Sequence, residues 1–504
     1  MNGPPSTSTE APMQQPSTHE LELKLRVPPR SVHEVEKAVN GRVGATRTHL
    51  QAIYVDTPDR RLAAAGIGWR VRKEGRRWVQ TLKADRHNGP DGLSRLEHNV
   101  VLTSRGRPAP DASLHAGTDV GHQLASALKA IDTPPAERFH TDIWRLARQT
   151  RVTGGTVELA FDRGSIAAAD RRTPVCELEI ELVKGRPHAV IATARTWVHR
   201  YGLWIDVATK AHRGAMLADD LHESPLVKAP TPALEPTMSI DAAVREMTRA
   251  CLVQVMGNAS AVAAGTGGHE HVHQARIGIR KLRTVFSTFG GHTPAVDPTW
   301  NVRLADIFAR LGSGRDRLVV LAQWIDALRE AGAPPITQPS STSEDPGDIF
   351  RGADFNLLVL DLLDYVHGEA LVGEIALLDA VSRELRALRR RSVRDPKRFP
   401  GLPPTQQHAV RKKLKRLRYV AELTSALYDR KKVNRYVKCI APAQEALGVM
   451  NDLTVASELY RAVVPVDSTA WFAVGWLSSR RDAAVNACVK PLRDAEAATP
   501  YWRH

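Results

Sequence analysis

Four cysteines in 504 residues leave this chain little means of cross-linking itself. Cys176, Cys251, Cys439 and Cys488 are far apart and none belongs to a C-x-x-C pair. That excludes a disulfide framework and suits reduced, structural thiols in a cytoplasmic protein. No window approaches the roughly 20 consecutive apolar residues that a membrane-crossing helix needs, so no membrane span is expected. Aromatic residues make up 5% of the chain and none interleaves the basic runs. This removes the stacking platform of a single-strand nucleic-acid binder, and no helix-turn-helix with a polar reading surface is evident. Acidic residues are also in deficit, 55 against 70 Lys and Arg, giving a net charge of +15. Such a balance calls for a polyanionic partner: nucleic acid, an anionic surface or a phosphate polymer.

What is present reads as two or three soluble globular domains. Residues 1–18 have the Pro/Ser/Thr/Gln-rich composition of a disordered leader, without the apolar core of a signal peptide. After it comes a series of short strands. In an extended strand side chains alternate between faces. Glu20, Glu22 and Lys24 therefore project to one side, and Leu21, Leu23 and Leu25 to the other. The same division recurs in 51–58, 69–72, 79–83, 94–100, 156–162 and 175–182, with short helices at 31–39 and 189–201. Arg95, Glu97 and Asn99 share a face, as do Glu177, Glu179 and Glu181. If such a sheet curls into a barrel, the Leu/Val/Ile faces need burial against helices and the charged faces line the lumen. Confined charges are costly unless paired or bound to ions. Arginines and lysines beside clustered glutamates meet that cost by holding a polyanion and a divalent cation together, and oxygen-only ligands favour Mg²⁺ or Mn²⁺ over zinc.

Residues 19–218 resemble a CYTH domain of the triphosphate tunnel metalloenzyme family. The resemblance rests on the E-x-E-x-K of Glu20, Glu22 and Lys24, on Tyr54-Val-Asp-Thr-Pro58, Arg70-x-Arg72 and Thr81-Leu-Lys83, on the glutamate strand 177–181 and on Thr209-Lys-Ala-His-Arg-Gly214. It implies an antiparallel β-barrel, or tunnel, flanked by helices. It further implies Glu20, Glu22, Glu179 and Glu181 as metal ligands and Lys24 as a catalytic residue. Arg70, Arg72, Lys83, Arg95, Glu97, Arg145, Lys210 and Arg213 would contact the triphosphate. The implied reaction is metal-assisted attack of water on a terminal phosphoryl group, with positioning and charge neutralisation supplying most of the rate. Asn99 departs from the pattern, standing where many members have a carboxylate. It favours the alternative of a protein that binds polyphosphate, including granule-associated polymer, without turnover. No nucleoside-binding element stands out, so inorganic triphosphate is the expected substrate.

Residues 219–237 form a Pro-punctuated linker, beyond which the pattern turns helical. A helix is expected from Ile240 to Met256, ending near Gly257, and the Pro/Ser-rich segment 333–347 reads as a loop. His273, Arg276, Arg280 and Arg283 fall on one helix face, joined by Lys281, with Leu282, Phe286 and Phe289 opposite. The spacing recurs 135 residues later as His408, Arg411, Lys415, Arg416 and Arg418, with Lys412 alongside. Leu311-Gly-x-x-x-Asp316 recurs as Leu447-Gly-x-x-x-Asp452 after 136. Two agreeing registers indicate an internal duplication, about 238–365 and 366–500, which predicts helical bundles related by pseudo-two-fold symmetry. Residues 238–500 resemble a CHAD domain, which implies inorganic polyphosphate held in a basic groove, His273 and His408 donating as pH falls. His269-Glu-His-Val-His273 matches the zinc-protease pattern H-E-x-x-H, but it follows two glycines and is absent from the second copy, which argues against zinc. The chain thus reads as an α+β tunnel followed by an all-α region: a metal-dependent triphosphatase joined to a polyphosphate-binding domain.

Overall fold

The computed structural model describes residues 18–41, 44–85, 94–104, 106–129, 134–312, 315–338, 344–373, 375–392 and 395–502. The chain divides into two compact units, meeting between Ser224 and Pro225 inside the Pro-rich stretch. No described helix is long and apolar enough to cross a membrane.

Unit one holds the strands β1 (Thr18–Arg26), β2 (Thr46–Asp56), β3 (Ile67–Glu74), β4 (Arg77–Asp85), β5 (Ser94–Leu102), β6 (Ala136–Val152), β7 (Gly155–Ala168), β8 (Arg171–Gly185) and β9 (Trp204–Ile205). They form one antiparallel sheet in the order β5-β4-β3-β2-β6-β7-β8-β1-β9. β1 is shared: Glu22–Arg26 pair with β8, whereas Thr18–Leu21 pair with β5. The two ends of the sheet therefore meet on β1 over four residue pairs. The expected barrel takes this form, an antiparallel sheet with its ends brought together locally and β9 left as an edge, rather than a barrel sealed along its strands. β6, 17 residues long, is a strand that the sequence reading did not identify; its run of Arg, His, Thr and Gln hides the apolar alternation.

Helices α1 (Val32–Asn40), α2 (Arg61–Ala64), α3 (Asp119–Ala127), α4 (Pro187–Tyr201) and α5 (Lys210–Ala218) complete the unit. α4 lies against β1, β7 and β8, and Leu23, Leu25, Leu178 and Ile180 are buried with Val190, Ile191 and Val198 of that helix. α5 enters from the other side. Ala211, Ala215 and Leu217 pack on Tyr54, Phe139 and Ile143, and Thr209 caps the helix by accepting from the His212 N–H at 2.9 Å. A Cβ on Gly214 would stand 2.1 Å from the Phe139 ring, so glycine there lets α5 approach the sheet and carry Lys210 with it.

Unit two is helical: α6 (Ile240–Ala264), α7 (His269–Phe289), α8 (Thr299–Arg310), α9 (Arg315–Glu330), α10 (Pro346–Arg351), α11 (Ala353–His367), α12 (Leu377–Ser392), α13 (Pro404–Leu423), α14 (Arg430–Val463), α15 (Ala470–Ala487) and α16 (Val489–Ala497). α6 does not stop near Gly257 as expected. It runs to Ala264 and ends on Gly265 at φ +79°, because Gly257 is packed under Val227 in mid-helix. Of the loop expected over 333–347, residues 339–343 lie outside the described set, and Pro346 already opens α10. The two Leu-Gly motifs differ in setting. Leu311-Gly312 falls in the turn between α8 and α9, whereas Leu447-Gly448 lies inside the 34-residue α14.

Candidate active site and basic helix face

The charged faces of β1, β3, β4, β5, β6, β7 and β8 surround a cavity of ≈ 470 Å³ in unit one. Glu20, Glu22, Lys24, Arg70, Arg72, Lys83, Glu97, Asn99, Arg145, Glu179, Glu181 and Lys210 all line it. Arg213 joins through Glu177, to which its Nη2 donates. Arg95 lies in β5 opposite Glu20, and its side chain is outside the described residues.

The charges sort into two groups. At one, the Lys210 ammonium is 2.7 Å from Asp162, 2.5 Å from Glu177 and 2.8 Å from Glu179. Arg145 clamps Asp162 with two bonds of 2.7 Å and also donates to Glu179. Burial pulls the Glu177 and Glu179 carboxyls up, but Lys210 and the guanidiniums overcome it, holding Glu177 down at about 2 and Glu179 well below the usual range. Lys24 donates to the Ala208 carbonyl, and burial depresses its ammonium against the pull of Glu177 and Asp206.

At the other group carboxylates outnumber described cations. Lys83 bridges Glu20 at 2.5 Å and Glu97 at 3.0 Å. Glu22, Glu181 and Glu158 stand directly opposite one another across β1, β8 and β7, an arrangement that repels. Burial, opposed by Lys83 and reinforced by Glu22, pushes Glu20 up to about 9. Burial and Glu22 push Glu181 up to about 7. Asn99 accepts from Thr81 at 2.7 Å and donates to Glu97 at 2.9 Å, so its amide holds a neighbouring carboxylate in place.

This arrangement tests the fit of a divalent cation. The oxygens of Asp162, Glu177 and Glu179 lie within 4.8 Å of one another, but Lys210 already bridges all three. The excess of like charge on Glu20, Glu22 and Glu181 fits a hard cation with oxygen ligands. The four carboxylates expected as one ligand set are therefore divided: Glu179 belongs to the Lys210 group, and Glu20, Glu22 and Glu181 stand with Glu97 and Glu158. Asp162 and Glu177 were missed as site residues, and so was Glu158. Period-two alternation along β7 places Glu158 and Asp162 on the same face and would have exposed both.

On the cation side, Arg70 donates to the Tyr54 hydroxyl at 3.2 Å while its buried Nε has no partner among the described residues. Burial would raise the Tyr54 phenol, but Arg70 lowers it overall. Arg72 donates to Glu74 at 2.7 Å, yet burial and the adjacent Arg70 pull it down to about 10. Asp56 of the Tyr-Val-Asp-Thr-Pro motif is structural: its carboxylate accepts from the N–H groups of Thr57, Leu62 and Ala63 at 2.7, 2.9 and 3.0 Å.

In unit two, α7 and α13 bring their basic residues together. Arg280 lies 3.3 Å from the Tyr419 hydroxyl. Arg276 and Arg280 are both over the Phe308 ring, at 4.6 and 5.1 Å. A Cβ on Gly312 would fall 2.6 Å from the Arg276 guanidinium, so the Leu-Gly turn leaves room for that arginine. Burial and Arg280 pull Arg276 down to about 10. Burial with Arg411 and Arg280, opposed by Asp452, brings Lys415 down to about 7. His273 and His408 are lowered, first by burial and then by neighbouring cations. Arg283 faces Asn301 at 3.4 Å. Lys412 and Arg416 are exposed, and Arg418 is engaged by Glu422 at 2.6 Å. Lys281 is half-buried on the α6 side, where its charge reaches the Cys251 thiol. The face therefore centres on Arg276, Arg280, Arg411 and Lys415. Phe308 and Asp452 belong to it and were not assigned from sequence, although Asp452 closes the second Leu-Gly-x-x-x-Asp motif.

Comparison with known proteins matches each unit separately. Over 203 residues, 39% of this chain, the sequence is 30% identical to the inorganic triphosphatase of Haemophilus influenzae, and the match spans 54% of that protein's length. Among solved structures, the CHAD domain from the plant Ricinus communis is 24% identical with a TM-score of 0.45, covering 55% of this chain and 98% of that one. A putative adenylyl cyclase from Hippeastrum, described as having a dominant triphosphatase activity, is 19% identical with a TM-score of 0.29, covering 40% and 96%. The family model for the CYTH domain matches residues 18–215, and that for the CHAD domain matches residues 246–461. With the tunnel motifs inside the first match and both basic helices inside the second, the chain is a CYTH domain followed by a CHAD domain.

Proposed function

We propose that unit one is a metal-dependent inorganic triphosphatase and that unit two binds inorganic polyphosphate, in the cytoplasm. The observation that carries this reading is the cavity where Arg70, Arg72, Lys83, Arg145 and Lys210 converge beside a separate, cation-poor carboxylate group. Guanidiniums match phosphoryl oxygens in a bidentate manner, and the Arg70 Nε, without a partner among the described residues, is a donor held ready for one. Glu20, Glu22 and Glu181 would hold Mg²⁺ or Mn²⁺. When bound, the cation supplies charge neutralisation and polarisation of phosphoryl oxygens.

The residues of the chain do the rest. Arg70, Arg72 and Arg145 fix the phosphates, Lys83 holds Glu20 and Glu97 apart from them, and Asn99 steadies Glu97. Water adds to the terminal phosphorus, the bridging P–O bond breaks, and orthophosphate and diphosphate leave. Lys24, anchored on the Ala208 carbonyl, neutralises charge that grows in this step. The test is phosphate release from tripolyphosphate with Mg²⁺ or Mn²⁺. Wild-type protein should turn over and Lys24→Ala should not; absence of turnover at every pH and with both metals would sink the enzymatic reading.

For unit two, the closely spaced cations Arg276, Arg280, Arg411 and Lys415 suit a polymer of phosphate. Long polyphosphate should displace DNA from the protein at equal charge and salt. Failure to do so would overturn the polyphosphate assignment while leaving the triphosphatase reading untouched.

A further inference from the structure

The outer side of the sheet carries a second cavity, of ≈ 570 Å³, between α1 and strands that include β2, β6 and β7. Its volume is in the range of small-molecule sites. Successive strand residues face opposite ways: Arg145 reaches into the tunnel, and Trp144, beside it in β6, forms a wall of this outer groove. Trp144 is 49% exposed, unusual for so large a ring. One of its faces stacks on His49, with centroids 4.5 Å apart and planes 8° from parallel. Asp142 holds that histidine at 2.7 Å. Among the described residues, no other ring or guanidinium stacks on Trp144.

At the rim, Arg47 and Arg163 share one carboxylate, Glu36, at 2.6 and 3.3 Å. Both side chains are about half exposed, and two guanidiniums on one carboxylate leave an excess positive charge. Exposed pairs of this kind are weak, so a phosphate can take the place of Glu36 and gain bidentate geometry. Apart from Arg145, which lines both cavities, and the Cys176 thiol, the rest of the lining is apolar, with Phe161 and Val27 buried beneath. The groove thus combines a fixed, half-exposed aromatic surface with a small cationic rim, whereas the Tyr54, Trp69 and Phe139 rings that line the tunnel are buried.

We propose that this outer groove binds a nucleoside monophosphate, its base stacked on the open face of Trp144 and its phosphate held by Arg47 and Arg163. The site is separate from the tunnel and does not depend on the triphosphatase reading. The half-buried Cys176 lines the same cavity, so its alkylation reports occupancy locally, and the exposed Cys439 in unit two serves as an internal control.

The experiment titrates AMP into the full chain in metal-free buffer at moderate salt, with an equal concentration of inorganic phosphate as the control for general anion binding. Iodoacetamide labelling of each thiol is followed by mass spectrometry. AMP at millimolar concentration should slow Cys176 labelling severalfold and leave Cys439 unchanged. Adenosine and ribose 5-phosphate, each carrying half of the determinants, should protect only at concentrations at least about tenfold higher. Trp144→Ala should weaken AMP protection by about tenfold or more, the order expected for losing a base stack. Arg47→Gln and Arg163→Gln, both at exposed positions, should do likewise if the fold is unchanged by circular dichroism. Absence of AMP protection would overturn the proposal. So would equal protection in the Arg47→Gln and Arg163→Gln proteins, or equal potency of ribose 5-phosphate.

Discussion

The two units solve opposite electrostatic problems. In the tunnel, buried cations meet buried carboxylates: Lys210 touches three, Arg145 two and Lys83 two. On the α7–α13 face, cations meet cations. There burial and Arg280 depress Arg276, burial with Arg411 and Arg280 depresses Lys415, and Asp452 opposes the shift at Arg411 and Lys415. The Lys210 group of the tunnel is therefore internally paired, whereas the Glu22–Glu181–Glu158 row sets like charges opposite one another. On the helical face Arg276, Arg280, Arg411 and Lys415 stand close enough to disfavour one another's charge, which a bound polyanion would offset. The preference for phosphate proposed for both units would thus rest on two designs: a cage of paired charges, and a helix face on which cations stand close together.

The largest expected break in this contrast is Lys210→Ala. It would strand Asp162, Glu177 and Glu179 beside one another, and removing one partner of a buried ion cluster typically costs about 3–5 kcal/mol. Denaturant unfolding should show that loss in unit one, with triphosphate turnover abolished; unchanged stability would mean the cluster is solvated. Next comes the opposite result on the helical face. Replacing Arg280 and Arg411 together with Gln should leave stability equal or slightly raised while weakening polyphosphate binding and flattening its dependence on salt. The salt slope tracks the number of phosphates neutralised, roughly 0.7–0.9 per contact in nucleic acids, so a double replacement that leaves the slope intact would place the polymer elsewhere.

A pH series sharpens the comparison further. Lys415 titrates at about 7 in the folded protein against an ordinary 10.5. Between those values the unfolded chain holds a proton that the folded one lacks, so this lysine makes unliganded stability rise with pH across the window and fall as pH drops toward 7. A polyanion favours the charged form, so affinity should be greatest below about 7 and decline as pH rises. Lys415→Gln should flatten that decline in a titration from pH 6 to pH 9. His273 and His408 are also lowered, first by burial, so the tighter binding expected from them as pH falls sets in at lower pH than an ordinary imidazole would give. The smallest effects distinguish the two copies. Gly312→Ala pushes against Arg276 and should weaken polyphosphate binding a few-fold. A Cβ at Gly448 meets nothing within 4 Å, so Gly448→Ala in mid-helix should leave binding unchanged and raise stability by up to about 1 kcal/mol. Identical behaviour of the two would erase the difference between the copies.

Much of the site was legible because alternation is local. Glu20, Glu22 and Lys24 share a face by chain geometry alone, as do Glu177, Glu179 and Glu181, and helical spacing likewise aligns Arg276 with Arg280 and Arg411 with Lys415. The 135-residue register was visible for the same reason. β6 was not legible, since its inward Phe139, Thr141, Ile143 and Arg145 mix residue types that propensity reads as no element at all. Nor was the continuation of α6 past Gly257, where packing against Val227 outweighs the helix-breaking tendency of glycine.

By itself, then, the amino-acid order determined which side chains share a face, where the chain changes from strands to helices, and that its cations exceed its anions. Only tertiary structure decided which charge meets which. That Lys210 bridges Asp162, Glu177 and Glu179 depends on α5 reaching the sheet over Gly214. That Glu22, Glu181 and Glu158 form a row depends on the register of β1, β8 and β7. Coulomb energy falls with distance and rises with burial, and both quantities are set by contacts between segments far apart in the chain.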